Sequence, residues 1–226
     1  MNSPANDNVT IRKGDAADVD ATARVLAAAF TNYPWITYTV AADGREQRLF
    51  QLYRTILGDL VIPYGRLWVA ETAPHRPPGP ASVVGAAGWF TPETQPPEAA
   101  AHDVAQCVWE LRGDRATQAA AAEAAIAANA ADYPHWYLGA IGVAPATQGR
   151  GIGAMLLRPA LELADQQREP VRLETSSERN VAFYARHGFG TVSELAIPGG
   201  PRCRLMERLP RSIGHRTSGT PTRRRG

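Results

Sequence analysis

The most informative segment of the chain reads Val143-Ala-Pro-Ala-Thr-Gln148-Gly149-Arg150-Gly151-Ile152-Gly153-Ala154, and it joins an apolar, strand-like run to an amphipathic, helix-like pattern. Its glycines at 149, 151 and 153 leave backbone N–H groups uncovered by side chains where a helix begins. Such amides, together with the positive end of the helix dipole, bind phosphate oxygens. The segment therefore predicts a loop that holds the diphosphate of a cofactor.

One interpretation of this loop is a dinucleotide-binding turn. Gly149-x-Gly151-x-x-Ala154 fits that fingerprint, and Glu174 follows at about the separation expected of a ribose-binding acid. The context disagrees, because residues 144–148 separate the apolar run from the first glycine and a single strand–helix–strand unit is visible instead of a repeated array. A nicotinamide-dependent oxidoreductase stays open as the less favoured alternative.

A second interpretation uses more of the same region. After the predicted strand Trp136–Val143, the motif Gln148-x-x-Gly151-x-Gly153 is followed by Val171-Arg-Leu-Glu-Thr175 and then by Asn180-Val-Ala-Phe-Tyr184-Ala-Arg-His-Gly188-Phe189. In this order the motifs resemble the GCN5-related N-acetyltransferases (GNAT), enzymes that use acetyl-coenzyme A (acetyl-CoA). The resemblance implies an α/β (α+β) fold with a mixed, mostly antiparallel central sheet flanked by helices and a splay between the two central strands.

Segments of the N-terminal half make the resemblance narrower. The similarity is to the puromycin N-acetyltransferases within this family, spans about residues 9–210, and is carried by Leu26–Pro34, Leu67–Ala70, Trp136–Val143, Leu173–Ser176 and Gly200–Arg202. It implies acetyl transfer to the amine of a small molecule, such as puromycin or a related antibiotic, and hence antibiotic resistance. The chain departs from the pattern in a Pro-rich insertion, Thr72–Ser82, and in the tail after Pro210.

The composition is that of a globular protein. Its 226 residues, 44% apolar and 20% charged, suit one domain, which we assign to residues 1–210. The sequence has no apolar run long enough for a membrane span and no basic-then-apolar signal at its start, so we expect a cytoplasmic protein without a membrane partner. Cys107 and Cys203 match neither a disulfide framework nor a zinc pattern, and we expect no metal site.

Residues 211–226 form a basic tail on a chain whose formal net charge is only +2. The tail has no apolar periodicity, so little burial would offset the entropy lost on ordering it, and we predict disorder. Such an arm could neutralise nucleic-acid phosphates but offers no sequence recognition, and a nucleic-acid partner is disfavoured. The sequence leaves monomer and homodimer open.

Periodicity and turn signals predict the remaining elements. A Pro-containing break is expected at Asn32–Trp35. The predicted order is strand 9–12, helix 16–30 capped by Asp15, helix 44–60, antiparallel strands 67–70 and 83–90, two alanine-rich helices within 98–131 that separate near Gly113, helix 154–167, strand 171–175, helix 180–187, and strands 191–197 and 202–209.

The resemblance places the splay beside the strand Trp136–Val143, so its unpaired amides near Ile141 and Val143 are expected to approach the pantetheine and the thioester. The remaining expected cofactor contacts are Gln148, Gly149, Arg150, Gly151, Gly153, Ala154 and Asn180.

Tyr184 is the candidate general acid. Asn180 and Tyr184 are four residues apart, so on a helix they project to the same side. A tyrosine, with an ordinary pKa of about 10, can donate a proton to a thiolate whose thiol titrates near ~8.5 by analogy with cysteine. The resemblance assigns Tyr184 this role in a direct attack of the amine on the thioester, while packing beside Phe183 and Phe189 is the alternative.

Glu174 is the candidate base, acting directly or through water, because its strand ends at the predicted cleft. A solvated or salt-bridged carboxylate is the alternative. Tyr33, Trp35 and Trp136 are candidates for lining the acceptor pocket, with core packing as the alternative. A non-catalytic CoA-binding module, which keeps the loop but lacks an acid and an acceptor cavity, is the second alternative function.

Overall fold

The computed structural model of the chain describes residues 9–73 and 82–211, and its main feature is a single sheet. The strands are β1 (Val9–Lys13), β2 (Gly65–Thr72), β3 (Ser82–Phe90), β4 (Trp136–Val143), β5 (Val171–Thr175), β6 (Gly190–Ala196) and β7 (Arg202–Arg208). They form a seven-stranded sheet in the order β1-β2-β3-β4-β5-β7-β6. All neighbours are antiparallel except β4 and β5.

Helices cover both faces of this sheet. They are α1 (Val19–Phe30), α2 (Pro34–Thr39), α3 (Arg45–Ile56), α4 (Ile62–Tyr64), α5 (Glu98–Leu111), α6 (Ala116–Ala127), α7 (Ile152–Gln167) and α8 (Glu178–Ala185). Successive residues of β2 alternate between two hydrophobic clusters: Trp68 packs with α7 residues, and Val69 packs with α1 and α3 residues. The molecule is therefore a helix–sheet–helix sandwich, as the predicted fold class requires.

The predicted splay lies between β4 and β5. These parallel strands pair only at Trp136↔Val171 and Tyr137↔Arg172. The Ala144 amide donates to the Val84 carbonyl at 2.8 Å. Since hydrogen-bonding direction alternates along a strand, Gly142 also points its backbone groups to β3, whereas Ile141 and Val143 point theirs to the gap. The fold prediction, including the splay, is confirmed.

Several helix boundaries differ from those predicted. The expected break at residues 32–35 contains the start of α2, because Pro34 occupies a first-turn position where its missing N–H has no intrahelical partner to lose. The second predicted helix ends its α-helical part at Ile56 and continues as a π-helical stretch, Leu57–Val61. Helix α7 begins at Ile152 and α8 at Glu178, each two residues before the predicted start.

The N-terminal cap is as predicted, since the Asp15 side chain accepts from the Ala17 amide at 2.8 Å. Most of the Pro-rich insertion (residues 74–81) and the tail from residue 212 lie outside the described residues. Arg211 is described, and its amide donates to Asp165 Oδ1 at 2.7 Å. Over residues 9–73 and 82–211, no helix has the length and apolar character needed to cross a membrane.

Candidate active site

Two cavities meet at the gap between β4 and β5. The first, which we call the apolar cavity, has a volume of about 660 Å³ and is walled by Leu52, Ile56, Leu57, Val104 and Val108 among others. The second, which we call the loop cavity, has a volume of about 650 Å³ and is lined by the glycine-rich loop. The residues that line both cavities, and so define the junction, are Phe30, Tyr33, Ile141, Asn180 and Tyr184.

The glycine-rich loop presents free amides to the loop cavity. Gly149 and Gly151 both have φ of +79°, a conformation that favours glycine. In the described part of the chain, the amides of residues 149–153 have no hydrogen-bond partner, and the first helical turn of α7 has no side-chain cap. Gln148 closes the loop by donating from Nε2 to the Val143 carbonyl at 3.0 Å. A row of free amides at a helix N-terminus fits the diphosphate expected there.

Most of the predicted cofactor residues meet at this cavity. Its lining includes Ile141, Val143, Gln148, Gly149, Gly151, Gly153, Ala154 and Asn180. Arg150 is exposed, and it does not line the cavity. The sequence reasoning missed three basic residues of α8 and its C-terminal end, Arg179, Arg186 and His187, which do line it. Their spacing was the available signal, because positions seven and eight residues apart lie on the same face of a helix.

Tyr184 lies at the junction. Its ring is buried between Phe183 and Phe189, with ring centroids 5.2 and 5.7 Å away. Burial, and then the nearby Tyr33 hydroxyl, raise the pKa of Tyr184 above its usual value. The ring therefore packs in the core, as the alternative interpretation expects, while the residue also lines both cavities.

Glu174 lies in the apolar cavity on β5. The Tyr137 hydroxyl donates to Glu174 Oε2 at 2.5 Å. Burial raises the pKa of Glu174, and the Tyr137 hydrogen bond together with the nearby Arg172 and His135 side chains partly opposes that rise. The Glu174 carboxyl therefore has a neutral hydrogen-bond donor as its partner and forms no close ion pair within the described part of the chain. The neighbouring Arg172 pairs with a different carboxylate, since its Nε lies 3.7 Å from Glu207 Oε2.

Tyr33 and Trp35 connect the corner between α1 and α2 to the end of β5. The Tyr33 hydroxyl accepts from the Ser176 amide at 2.7 Å and lies 2.8 Å from the Thr175 hydroxyl. The Trp35 amide donates to the Ser176 hydroxyl at 3.2 Å. Both aromatic residues line the apolar cavity.

The prediction that Trp136 lines the acceptor pocket is wrong. Its indole is fully buried, packs against Trp68 and Trp89 at 6.4 and 6.3 Å between ring centroids, and donates from Nε1 to Gln167 Oε1 at 2.8 Å. Side chains alternate across a strand, so Trp136 faces α7 and the following residue, Tyr137, faces the cavity.

A partly buried ion pair in the wall of the apolar cavity was not predicted. Arg112, at the end of α5, pairs with Glu123 on α6, and its Nη1 donates to the Thr39 carbonyl at 3.4 Å. Burial lowers the pKa of Arg112 and raises that of Glu123. The alanine-rich sequence around them indicates helix propensity alone, so it offers no signal for this pair.

The titratable groups at the site do not resemble a metal centre. In residues 9–73 and 82–211, no three His, Cys, Asp or Glu residues are placed to hold a metal ion. Cys203 lines the apolar cavity as a buried free thiol, and burial together with the charge of Glu174 raises its pKa to about 11.

Comparison with known proteins agrees with this geometry. Residues 83–189, which run from β3 through α8, match the Acetyltransferase (GNAT) family. A structure described as histone acetyltransferase HPA2 and related acetyltransferase, from Corynebacterium glutamicum, is 22% identical, with 90% of this chain and 97% of that chain covered and a TM-score of 0.64.

Two eukaryotic enzymes share the fold at lower identity. Arylalkylamine N-acetyltransferase 2 from Aedes aegypti is 12% identical over 90% of this chain and 99% of that chain, with a TM-score of 0.58. Polyamine N-acetyltransferase from Drosophila melanogaster is 14% identical over 89% and 100%, with a TM-score of 0.53. Residues 83–189 therefore have the sequence pattern of the GNAT family, and the chain has its fold, which indicates an N-acetyltransferase with acetyl-CoA as its acyl donor.

Proposed function

We propose that the chain transfers the acetyl group of acetyl-CoA to the amine of a small molecule held in the apolar cavity, by direct attack of the amine on the thioester. The observation that carries this proposal is the junction, where one set of residues lines both cavities. A donor bound along the loop cavity and an amine bound in the apolar cavity meet beside Tyr184. No covalent acetyl-enzyme is needed, because the two reactants share one open space.

The loop and the β4 edge hold the donor. When bound, acetyl-CoA supplies an acetyl group that is activated as a thioester. The amides of residues 149–153 bind its diphosphate, and Gln148 keeps the loop closed through its bond to Val143. The gap-facing amides of Ile141 and Val143 bind the pantetheine arm and orient the thioester carbonyl, with Asn180 beside them.

Glu174 accepts the proton of the acceptor ammonium, directly or through water. Its raised pKa suits a base that must be ionised near neutral pH yet basic enough to take a proton. The amine nitrogen then bonds to the carbonyl carbon and the carbon–sulfur bond breaks. The thiolate takes up the second proton, which the nitrogen loses as it becomes an amide. Tyr184 stays protonated because its pKa is raised, so it donates a hydrogen bond to the sulfur as charge develops there.

The walls of the apolar cavity favour an amine attached to an apolar body. Phe30, Tyr33, Trp35 and Tyr137 supply aromatic surface, and Glu123 is already neutralised by Arg112. This layout supports puromycin or a related antibiotic amine as the acceptor, with resistance as the outcome and the cytoplasm as the location. The similar structures named for arylalkylamines and polyamines define the competing acceptors.

A free-thiol assay with acetyl-CoA tests donor and acceptor together. We expect thiol release with puromycin and a product heavier than puromycin by one acetyl group, and weaker release with polyamines, aminosugars and peptides. A preference for polyamines over puromycin would contradict the proposed acceptor. Binding of acetyl-CoA without thiol release across the whole panel would contradict the proposed transfer.

A further inference from the structure

One wall of the loop cavity is basic. Helix α8 and its C-terminal end place Arg179, Phe183, Arg186 and His187 in this wall. Phe183, Arg186 and His187 lie four, seven and eight residues after Arg179, so the four positions share one face of the helix. We call Arg179, Arg186 and His187 the basic wall.

The basic wall lies against the glycine-rich loop. A Cβ at Gly153 would lie 3.4 Å from the Phe183 ring, so this ring packs on the first turn of α7. The His187 and Phe183 rings are 4.6 Å apart between centroids. His187 Nδ1 lies 2.9 Å from the Phe183 carbonyl, which can only accept, so Nδ1 carries a proton and the second nitrogen, Nε2, is left for another partner.

The charge of this wall is not balanced by nearby carboxylates. No Asp or Glu lines the loop cavity. Among the described residues, no carboxylate oxygen lies within 4.0 Å of the guanidinium nitrogens of Arg179 or Arg186. The loop amides and the α7 dipole already provide for one diphosphate. The wall therefore has positive charge for a further anionic group.

We infer that the basic wall binds the phosphate monoester on the ribose 3′ position of coenzyme A. This inference rests on the donor named in the proposed function, because coenzyme A carries that third phosphate in addition to its diphosphate. Arginine binds a phosphate monoester through charge-assisted hydrogen bonds, and an exposed arginine does so at a modest cost in ordering. The protein thus selects coenzyme A over its 3′-dephospho form.

Calorimetric titration of the full chain with coenzyme A and with 3′-dephospho-coenzyme A tests this inference. We expect the dephospho form to bind about tenfold more weakly at low ionic strength, and the difference to shrink as salt is added. In Arg179→Gln/Arg186→Gln, coenzyme A is expected to bind as weakly as the dephospho form. Arg158→Gln, an exposed arginine on α7 that lines neither cavity, is the matched control and is expected to keep the tenfold difference.

Two results would overturn the inference. Equal affinities of the wild-type chain for both ligands would show that the protein does not bind the 3′-phosphate. An equal loss of affinity for both ligands in the double variant would assign the arginines to the diphosphate. Neither result depends on the acceptor, since failure of the proposed function abolishes thiol release while the preference for coenzyme A is measured by binding alone.

Discussion

Burial raises the pKa of both Tyr184 and Glu174, and it therefore favours the protonated, neutral form of each side chain. The tyrosine becomes a more persistent neutral donor. The glutamate becomes a better proton acceptor whenever it is ionised. The removal of water around both side chains therefore suits the two roles proposed for them, a neutral hydrogen-bond donor and a base.

Removing the Tyr184 hydroxyl tests its role as donor. We expect Tyr184→Phe to lower kcat by about 100-fold, at the low end of the range for losing one preorganised hydrogen-bond donor, because the developing thiolate loses its partner. The KM for acetyl-CoA should change little, since the ring still packs between Phe183 and Phe189. Steady-state kinetics check this, with Tyr64→Phe, outside both cavities, as the matched control. An unchanged kcat would remove Tyr184 from the mechanism.

The pH dependence of turnover tests Glu174 as base. A base must be ionised, so kcat/KM is expected to rise with pH through a limb set by the raised pKa of Glu174. Glu174→Gln should abolish that limb and lower kcat/KM by about 100-fold. Tyr137→Phe should move the limb to higher pH, because the Tyr137 hydrogen bond lowers the pKa of Glu174. A profile that keeps its acidic limb in Glu174→Gln would exclude this base.

The partly buried Glu174 carboxyl should also lower the free energy of unfolding. A group whose pKa is higher in the folded than in the unfolded state binds more protons when folded between the two pKa values, so stability falls as pH rises through that window. Above the window, Glu174→Gln is expected to stabilise the fold by about 1 kcal/mol, or about 2–4 °C in Tm for a chain of this size. Thermal denaturation measures this, with exposed Glu162→Gln as control. A lower Tm in Glu174→Gln would show that its hydrogen bond outweighs its desolvation.

At the scale of elements, α5 and α6 form one wall of the apolar cavity. Gln118 on α6 bonds to the Tyr38 carbonyl, and the Ala41 amide donates to the Arg112 carbonyl at 3.0 Å. Arg112 itself bonds to Glu123 and to the Thr39 carbonyl. These contacts tie the helix pair to α2 and its C-terminal end.

Breaking this attachment should destabilise the protein and loosen the cavity. Arg112→Met leaves Glu123 without its partner, and because that glutamate is half exposed we expect a loss of about 1–2 kcal/mol in the free energy of unfolding. Adding Glu123→Gln should recover part of the loss, since no carboxylate is then left unpaired. Denaturant unfolding of the two single variants and the double variant gives the coupling energy. Strictly additive changes would show that the pair is not coupled.

The helices and strands differ in how well they could be predicted from the sequence. Local signals in the sequence predicted β4 and the two alanine-rich helices, and the family resemblance predicted that β4 and β5 splay apart. The π-helical Leu57–Val61 stretch lacks a signal in the apolar spacing, which suits an α-helix equally well. Trp136 and Tyr137 show the same limit at a site, since either aromatic could face the cavity until the strand register decides.

At the scale of the molecule, the sheet consists of two parts that meet at two register pairs of β4 and β5. Strands β1–β4 lie on one side of the gap, and β5–β7 lie on the other. The backbone groups of Ile141 and Val143 face this gap without a strand neighbour. A donor that bonds to them joins the two parts.

Coenzyme A should therefore stabilise the whole fold. A ligand that binds the native state alone contributes about 2.7 kcal/mol at a hundredfold excess over its Kd. We expect a rise in Tm and slower hydrogen exchange at the Ile141 and Val143 amides, while the Ile11 amide in β1 serves as an internal reference far from the gap. Hydrogen exchange read by NMR measures both. Equal slowing at all three amides would show that global stabilisation alone is responsible.

The free edge of β4 affects the release of coenzyme A at the end of each catalytic cycle. Free coenzyme A differs from acetyl-CoA only at the sulfur. In the proposed complex it therefore keeps the same contacts with β4 and with the glycine-rich loop after the acetyl group has been transferred. When free coenzyme A dissociates, the hydrogen bonds that formed on binding must all break, and no chemical step assists this dissociation. Turnover should accordingly slow as free coenzyme A accumulates, because it competes with acetyl-CoA for the same contacts.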